Sequence, residues 1–300
     1  MNFSPKKAKA SVQFDLHNHS SLSPGAKVSS RMLVDLAAAR GVAGLGICEQ
    51  DAFWDPSASE HAARRRVRLA MGIEFSCRKA HIIGFGMRFS GADRRFLEDY
   101  FTTLRLAALD AARKLIAELA GWNSAVTFTT LMRHAGKMPD KSSILHFLTH
   151  EQRMFPDTMS GKAFLAAEGL DPPPYGTTEL LDPTEAVALI RRSGGVSILA
   201  HPFLDNPSEA MRGQLHALTA AGLHAIEGIY PYRENGYQGP ESNEVLQART
   251  VALASLHGLS ISGGSGTRYP LGPMQDHRPI LPGEYGITAE EAEALGPIFH

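Results

Sequence analysis

Cysteine is scarce in this sequence, with only Cys48 and Cys77 in a chain of 300 residues. Two cysteines cannot supply the disulfide framework of a small secreted domain, and they fit a protein that works in the reducing cytosol. Both lie in apolar, strand-like runs, so we interpret them as buried thiols without chemistry of their own. The sequence therefore predicts a cytoplasmic protein that its core, and not cross-links, holds together.

Two further absences narrow the class of function. No run of about 18 apolar residues occurs, so neither a membrane-spanning helix nor a membrane partner is expected. The 30 Lys and Arg residues nearly balance the 31 Asp and Glu residues, which leaves a formal net charge of -1. Because no overall basic field indicates nucleic acid as a partner, any phosphorylated substrate must be bound by a local site.

Short apolar runs recur along the chain, and helical patterns separate most of them. In the second half, the strand-like "VSILAHP" is followed by the helical "SEAMRGQLHALTAAG" and then by the strand-like "HAIEGIYP". This alternation predicts α/β units around a largely parallel sheet, and about seven strand candidates indicate a barrel. The rhythm stops from about Ser90 to Leu181, where a long helical stretch and shorter segments predict a helical insertion over the functional end of the sheet.

We therefore divide the chain into three parts. Residues 1–90 form the first part of the barrel, residues 91–181 form the helical insertion or cap, and residues 182–300 form the second part of the barrel with a C-terminal tail.

Side chains that can bind metal stand at the ends of several predicted strands. His17 and His19 in "DLHNH" are two residues apart on one strand, so they point the same way. Glu74 ends the apolar strand "LAMGIEFS", His81 begins the next strand, and His201 ends "VSILAHPF". Each alone can be structural, since histidine often caps strand ends. Together they predict a metal centre, because barrels keep their active sites at the carboxyl ends of the strands.

Five motifs, in order along the chain, resemble those of the PHP domain, the metal-dependent phosphoesterases named for polymerase and histidinol phosphatase. The motifs are "DLHNHSSLSPG", "GVAGLGICEQD", "GIEFS" with "AHIIGFG", "GGVSILAHPF" and "GLSISGGSGTR". The inserted region with "KAFLAAEGLDPPPY" is similar to the subfamily that removes phosphate from nucleotides or trims short RNA. The resemblance implies a distorted (β/α)7, TIM-like barrel with a helical insertion.

The resemblance also implies a metal site and a reaction. His17, His19 and Glu74 would hold one divalent ion, and Glu74 would bridge to a second ion held by His81 and His201. A hydroxide between the two ions would attack phosphorus while the ions offset charge on the phosphoryl oxygens. Imidazole with carboxylate suits Zn, Mn or Fe better than Ca or Mg. The expected enzyme is a phosphoric ester hydrolase that acts on a small phosphorylated substrate, a nucleotide or a short oligonucleotide.

Four positions depart from the family pattern. Pro24, Gln50, Gly266 and Arg268 stand where the family carries metal-binding aspartate or histidine residues. Three of them, all but Gly266, are positions where the family holds a third metal, so a third ion is not expected. With glycine at position 266, the chain lacks the carboxylate that would complete the coordination of the first metal. Glu49 stands where the family usually has an aspartate. It can take the place of that aspartate, or it can be a hydrogen-bonding partner of a histidine.

Arg268 leads to a sharper hypothesis, in which its guanidinium binds a substrate phosphate in place of a metal charge. The preceding "SGGSG" would add backbone N–H groups as an anion nest, whereas the alternative is a tight turn with a surface arginine. Lys141 lies near the position where the subfamily often carries an Arg-x-His pair that contacts phosphate, and Ser143 stands at the position of that histidine. Asp276 and His277 in "MQDHRP" are candidates for displaced ligands.

The other histidines show no pattern of partners, and we interpret them as ordinary. They are His61, His134, His146, His150, His216, His224, His257 and His300.

Three classes of function stay open. The first is the two-metal phosphoesterase, and the second is a degenerate PHP-fold protein that binds metal or a phosphate ligand without catalysis. The third is a barrel hydrolase of the amidohydrolase type, which also opens with two histidines one residue apart but needs an aspartate at its last strand, where "SISGGSGT" has none. Survival of the ligands for the first two metals favours metal binding more strongly than it favours turnover.

Overall fold

The computed structural model of the chain describes residues 13–135, 138–170, 179–205, 208–268 and 279–299. The predicted candidates Asp276 and His277 lie outside the described residues, as does His300.

Seven strands of the described chain form one sheet, and their order in the sheet is their order in the sequence. β1, β2 and β3 run parallel to one another, as do β5, β6 and β7, while β4 is antiparallel to both of its neighbours. The strands are β1 (Phe14–Asp15), β2 (Gly44–Gln50), β3 (Arg68–Cys77), β4 (Ala80–Phe85), β5 (Val196–Ala200), β6 (Ala225–Ile229) and β7 (Ser260–Gly263).

The sheet closes because the chain after β7 bonds to the chain after β1. The backbone N–H of Leu16 donates to the carbonyl of Gly263 at 3.0 Å, and the N–H of His19 donates to the carbonyl of Thr267 at 2.8 Å. This closure, with β3 and β4 joined as a hairpin where a helix would otherwise intervene, makes a distorted seven-stranded barrel. The predicted α/β, TIM-like architecture is confirmed.

Helices of the described chain cover the outside of the barrel and build the cap. They are α1 (Ser30–Ala39), α2 (Ala58–Arg65), α3 (Gly91–Ala120), α4 (Phe128–Ala135), α5 (Lys141–His146), α6 (Thr158–Ala167), α7 (Pro183–Arg192), α8 (Pro202–Asp205), α9 (Ser208–Ala221), α10 (Asn243–His257) and α11 (Ala289–Ala294). A π-helical turn (Phe147–Glu151) continues α5.

Local sequence explains where the barrel helices begin and end. The Ser29 hydroxyl accepts from the N–H of Met32 at the start of α1, and Asp182 and Glu185 form a capping box at the start of α7. Helix α10 ends at Gly258, whose φ of 65° lies in the left-handed region that glycine adopts without strain. These signals are short-range, so the sequence predicts these elements well.

The 30-residue helix α3 joins two hydrophobic cores. Its first half places Leu97 and Phe101 in the core between the sheet and α7. Its second half places Leu115 and Leu119 in a separate core built from the cap helices. Among the described helices, none combines the length and the apolar character that crossing a bilayer would require. The helices that follow α3 are thus joined to the barrel by one continuous helix, which begins after β4.

Candidate metal centre

Two buried imidazoles lie side by side where the chain leaves β1. The Nε2 atoms of His17 and His19 are 3.1 Å apart, and both residues are buried. Two nitrogen ligands of one tetrahedral zinc ion, each at 2.0–2.1 Å, would be separated by about 3.3 Å. The spacing of the two nitrogens is therefore that of a chelating pair.

Glu74, near the end of β3, contacts all four predicted histidine ligands. Its Oε1 lies 3.0 Å from His201 Nε2, 3.1 Å from His81 Nδ1 and 3.6 Å from His17 Nε2. Its Oε2 lies 3.3 Å from His19 Nε2. The carboxylate has no exposed surface. The barrel thus brings together the five residues that the sequence singled out as ligands, around one carboxylate.

Burial and neighbouring charges shift the pKa values of Glu74 and His19. Burial opposes ionisation of Glu74, but the imidazoles of His81 and His17 outweigh it and hold the pKa of this carboxyl well below its usual range. Burial, followed by repulsion from Arg268, holds the pKa of His19 well below its usual value. A carboxylate beside a neutral imidazole is the form in which these groups bind a cation.

The donor set fits a divalent metal ion. His17, Glu74 and His201 each offer a ligand atom, and these atoms all lie within 4.8 Å of one another. A second group that meets the same condition consists of His17, His19 and Cys48. Nitrogen, carboxylate and sulfur donors are typical of sites for Zn and related transition metals.

Glu227 on β6 contacts two predicted ligands, and the sequence interpretation missed it. Its Oε1 lies 2.9 Å from His17 Nδ1, and its Oε2 accepts from the backbone N–H of His201 at 2.8 Å. A proton on Nδ1 of His17 leaves its Nε2 lone pair directed towards Glu74. The sequence did carry a signal, because a carboxylate inside the apolar run "HAIEGIYP" is costly unless it has a partner.

His201 has a strained backbone, with a φ of 23° that is uncommon for a residue other than glycine. Strain of this kind costs about 1–3 kcal/mol and persists where the surroundings over-determine it. The hydrogen bond from its N–H to Glu227 is one such restraint.

Asp15 ties the closing loop to the barrel. It has no exposed surface, and its carboxylate accepts from the backbone N–H groups of Ser265 at 3.0 Å and Gly283 at 2.7 Å. Burial raises its pKa above the ordinary value, against the effect of these hydrogen bonds. Asp15 therefore has a structural task beside the metal ligands.

The glycine-rich loop "SGGSG" closes the barrel and does not form the predicted anion nest. The N–H of Gly264 donates to Ile229, that of Ser265 donates to Asp15, and that of Gly266 donates to His17. A Cβ atom at position 264 would lie 2.3 Å from the backbone nitrogen of His17. Glycine is needed there because two backbone segments meet, and the N–H groups are already used.

Arg268 borders the site, with its side chain partly buried at 21% exposure. Its guanidinium donates to Gln50 Oε1 at 2.7 Å and to the Pro24 carbonyl at 3.2 Å, and it lies 3.4 Å from Glu74 Oε2. Arg268 therefore contacts two of the other three residues that depart from the motifs of the resembling family, Pro24 and Gln50. Where the resemblance implied a third ion, this chain has a permanent side-chain cation beside the central carboxylate.

Glu49 reaches the site through a serine. It is fully buried, accepts from the hydroxyl of Ser20, and accepts from Ser23 Oγ at 2.6 Å. Ser23 Oγ also lies 3.3 Å from His19 Nδ1. Burial raises the pKa of Glu49 although these hydroxyls oppose the shift. Glu49 is thus connected to the far nitrogen of a predicted ligand.

Lys141 is the first residue of α5, in a segment that borders the site. The carbonyl of Met138, three residues earlier, accepts from the N–H of Gly25 at 3.3 Å, next to the carbonyl that Arg268 contacts. The side chains of Ser143 and Asp140 form the capping box at the start of α5. The structure thus brings this part of the cap to the rim of the site.

Three histidines interpreted as ordinary meet in the cap. His134 Nε2 lies 3.1 Å from His146 Nδ1, and the rings of His146 and His150 are 4.3 Å apart. The N–H of Gln152 donates to the carbonyl of Phe147, five residues earlier, which widens the helix. In such a turn residue i+5 lies one turn beyond residue i, so Glu151 lies on the same side of the helix as His146. Like His146, it reaches His134, at 3.6 Å. No sequence pattern predicts a π turn, so this cluster was not foreseen.

Comparison with known proteins agrees with this architecture, although no family model matches the chain. The chain is 27% identical over 299 residues to a 3',5'-nucleoside bisphosphate phosphatase from Chromobacterium violaceum, an alignment that covers 96% of this chain and 94% of that protein. It is 27% identical over 200 residues to a 5'-3' exoribonuclease from Haemophilus influenzae, covering 65% of this chain and 70% of that protein.

Two solved structures share the fold. A candidate metal-dependent phosphoesterase from Bifidobacterium adolescentis superposes with a TM-score of 0.66 at 19% identity, over 94% of each chain. An amidohydrolase from Chromobacterium violaceum, with bound sulfate and no metal, superposes with a TM-score of 0.67 at 24% identity, over 89% of this chain and 94% of that one. These likenesses extend over nearly the whole chain, insertion included.

Proposed function

Because this chain has the fold and the motif order of the PHP metal-dependent phosphoesterases, we propose that it is a metal-dependent phosphoric ester hydrolase. The observation that carries the proposal is the buried Glu74 carboxylate, which contacts the imidazoles of His17, His19, His81 and His201. The proposed substrate is a small phosphorylated molecule, a nucleotide or a short oligonucleotide. The names of the two relatives, a bisphosphate phosphatase and an exoribonuclease, support this class.

The proposed ligands form two overlapping sets. His17, His19 and Glu74 would hold one divalent ion, and Glu74, His81 and His201 would hold another; Zn, Mn and Fe suit these donors. When bound, such ions polarise phosphoryl oxygens and lower the pKa of water. Glu74 is suited to both sets, because each of its oxygens faces histidine nitrogens.

The chain's own residues would position the ligands and the substrate. Arg268 would bind a phosphoryl oxygen of the substrate, since its guanidinium is held by Gln50 and Pro24 beside the ligand carboxylate. Glu49 would hold His19 in place through Ser23. Lys141, in the cap segment at the rim, would contact a second phosphate of the substrate.

We also propose the three-part division into 1–90, 91–181 and 182–300, with the cap covering the substrate. Work in the reducing cytosol fits the two buried free thiols.

A metal measurement combined with an activity assay tests the proposed function. Untagged protein purified without chelator is expected to carry about two equivalents of Zn, Mn or Fe by plasma mass spectrometry, and to release phosphate from a 3',5'-nucleoside bisphosphate. His201→Ala should lower both the metal content and kcat/KM, the latter by more than about 100-fold, because even partners of metal ligands change activity 10–100-fold.

His216→Ala is the matched control, because this histidine is exposed on α9. Protein without metal and without turnover would contradict the proposal. Two bound metals with phosphate binding but no turnover of nucleotides or short oligonucleotides would favour the second candidate, a degenerate binding protein. The observation behind that candidate is that Arg268, Gln50 and Pro24 have replaced ligand positions of the family.

A further inference from the structure

Cys48 lies at the metal centre. Its sulfur and a nitrogen of each of His17 and His19 lie within 4.8 Å of one another, and all three residues are buried. The strand β2 places it there, because the N–H of Cys48 donates to the carbonyl of Asn18, the residue between the two histidines, at 3.0 Å. The thiol that the sequence marked as inert is therefore next to two predicted ligands.

The surroundings of Cys48 differ on its two sides. On one side it packs in the apolar interior of the barrel with Leu16 and Ala70. On the other side are the chelating imidazoles. The second cysteine, Cys77, is also buried, but it packs in the core outside the barrel with Phe75 and Leu97 and belongs to neither metal-binding group of the described chain.

We propose that the Cys48 thiolate is a protein ligand of the metal ion that His17 and His19 would hold. This inference rests on the proposed function, because it assigns one further ligand to the same site. Gly266 offers no side chain at the position where the family resemblance implies a carboxylate ligand. Cys48 would supply a donor in its place, from the interior of the barrel. On binding, the proton of the thiol passes to solvent as the sulfur–metal bond forms.

A thiolate changes which metal the site takes and how the two ions differ. Sulfur is a soft donor, so it favours Zn or Fe over Mn and disfavours Mg and Ca. Two imidazoles with a thiolate are donors typical of structural zinc sites. An ion held by His17, His19 and Cys48 would serve as an anchor, and an ion held by Glu74, His81 and His201 would supply the catalytic chemistry.

Cobalt spectroscopy on the full chain tests this ligand. Protein stripped of metal and reloaded with Co²⁺ is expected to show a thiolate-to-cobalt charge-transfer band in the near ultraviolet. Cys77→Ser is the matched control and should keep the band. Cys48→Ser should lose it, and its affinity for the first equivalent of cobalt should fall by more than the roughly 10–100-fold that loss of an outer partner causes.

The outcomes separate this inference from the proposed function. If the wild type binds no cobalt, the proposed metal centre itself fails. If it binds two equivalents but shows no charge-transfer band, Cys48 is not a ligand and the proposed function stands. Should Cys48→Ser fail to fold, X-ray absorption of the zinc-loaded wild type decides. A sulfur scatterer at about 2.3 Å is expected, and a shell of nitrogen and oxygen alone overturns the inference.

Discussion

At the scale of single residues, the site depends on buried carboxylates that have different tasks. Glu74 faces the imidazoles directly, whereas Glu227 faces the far side of one of them and Asp15 holds backbone N–H groups. A buried carboxylate without partners would be strongly destabilising, and each of these three has several. Their partners, and not their residue type, distinguish the role proposed for each: metal binding, orientation of a ligand, or closure of the barrel.

Glu227→Gln tests the orienting role. The amide keeps the shape of the side chain but removes the charge that makes His17 a stronger ligand, so the affinity for metal is expected to fall about 10–100-fold. Competition with a chromogenic chelator measures this affinity. Glu118→Gln, on the exposed side of α3, is the control. An affinity equal to that of the wild type would mean that Glu227 only supports the fold.

At the scale of elements, the π turn after α5 determines which side chains meet in the cap. It brings His146, His150 and Glu151 around His134, while Lys27 donates to the carbonyl of His134. Burial, then the positive charge of Lys27 and the neighbouring histidines, lowers the pKa of His134, and Glu151 opposes this shift only in part. At a pH between the folded and the unfolded pKa, His134 is therefore neutral in the folded cap and protonated in the unfolded chain.

This difference predicts how the stability of the protein depends on pH. Since the pKa of His134 is lower in the folded state, its contribution to stability is complete above about pH 6.5 and is lost as the pH falls below that value. The melting temperature of His134→Gln should therefore drop less between pH 7.5 and 5.5 than that of the wild type. Equal drops in calorimetry would show that His134 does not contribute.

At the scale of the whole molecule, the barrel and the cap have separate cores that share α3. Leu104 and Ala108, in the middle of this helix, pack with Met138 and Leu180 at the junction. Because few apolar contacts cross between the cores, the cap is expected to open without the barrel. An opening cap would admit and release substrate at the rim where Gly25 meets Met138.

Leu119→Ala tests this independence, since Leu119 is fully buried in the cap core. The substitution is expected to destabilise the cap by about 2–5 kcal/mol. Hydrogen exchange should become faster in residues 128–167 and stay slow in β3 and β4. Ile73→Ala, in the core against the sheet, is the comparison and should speed exchange throughout. A uniform effect of Leu119→Ala would mean that the two cores unfold together.

The sequence by itself determined the barrel strands and singled out the candidate ligands, because both follow from local rules. Residues two apart in an extended segment share a side, and a polar group in an apolar strand needs a partner, which singles out His17, His19 and Glu74. The strand bounds differ from the prediction, because β1 ends at Asp15 and β3 continues to Cys77. The same rule, applied to "HAIEGIYP", would have identified Glu227. These signals extend over a few residues, so they can be read without knowing what else the chain brings near.

Only the tertiary structure decided which distant residues complete the site. Arg268 meets Gln50 across 218 positions of sequence, and this contact exists only because the barrel closes. The same closure uses the N–H groups of the glycine loop, which is why the predicted anion nest is absent from this part of the described chain. The sequence predicts Cys48 to be a core residue, because the residues around it form an apolar run and nothing local indicates a metal. The pairing of its strand beside His17 and His19 places its sulfur next to these two predicted ligands.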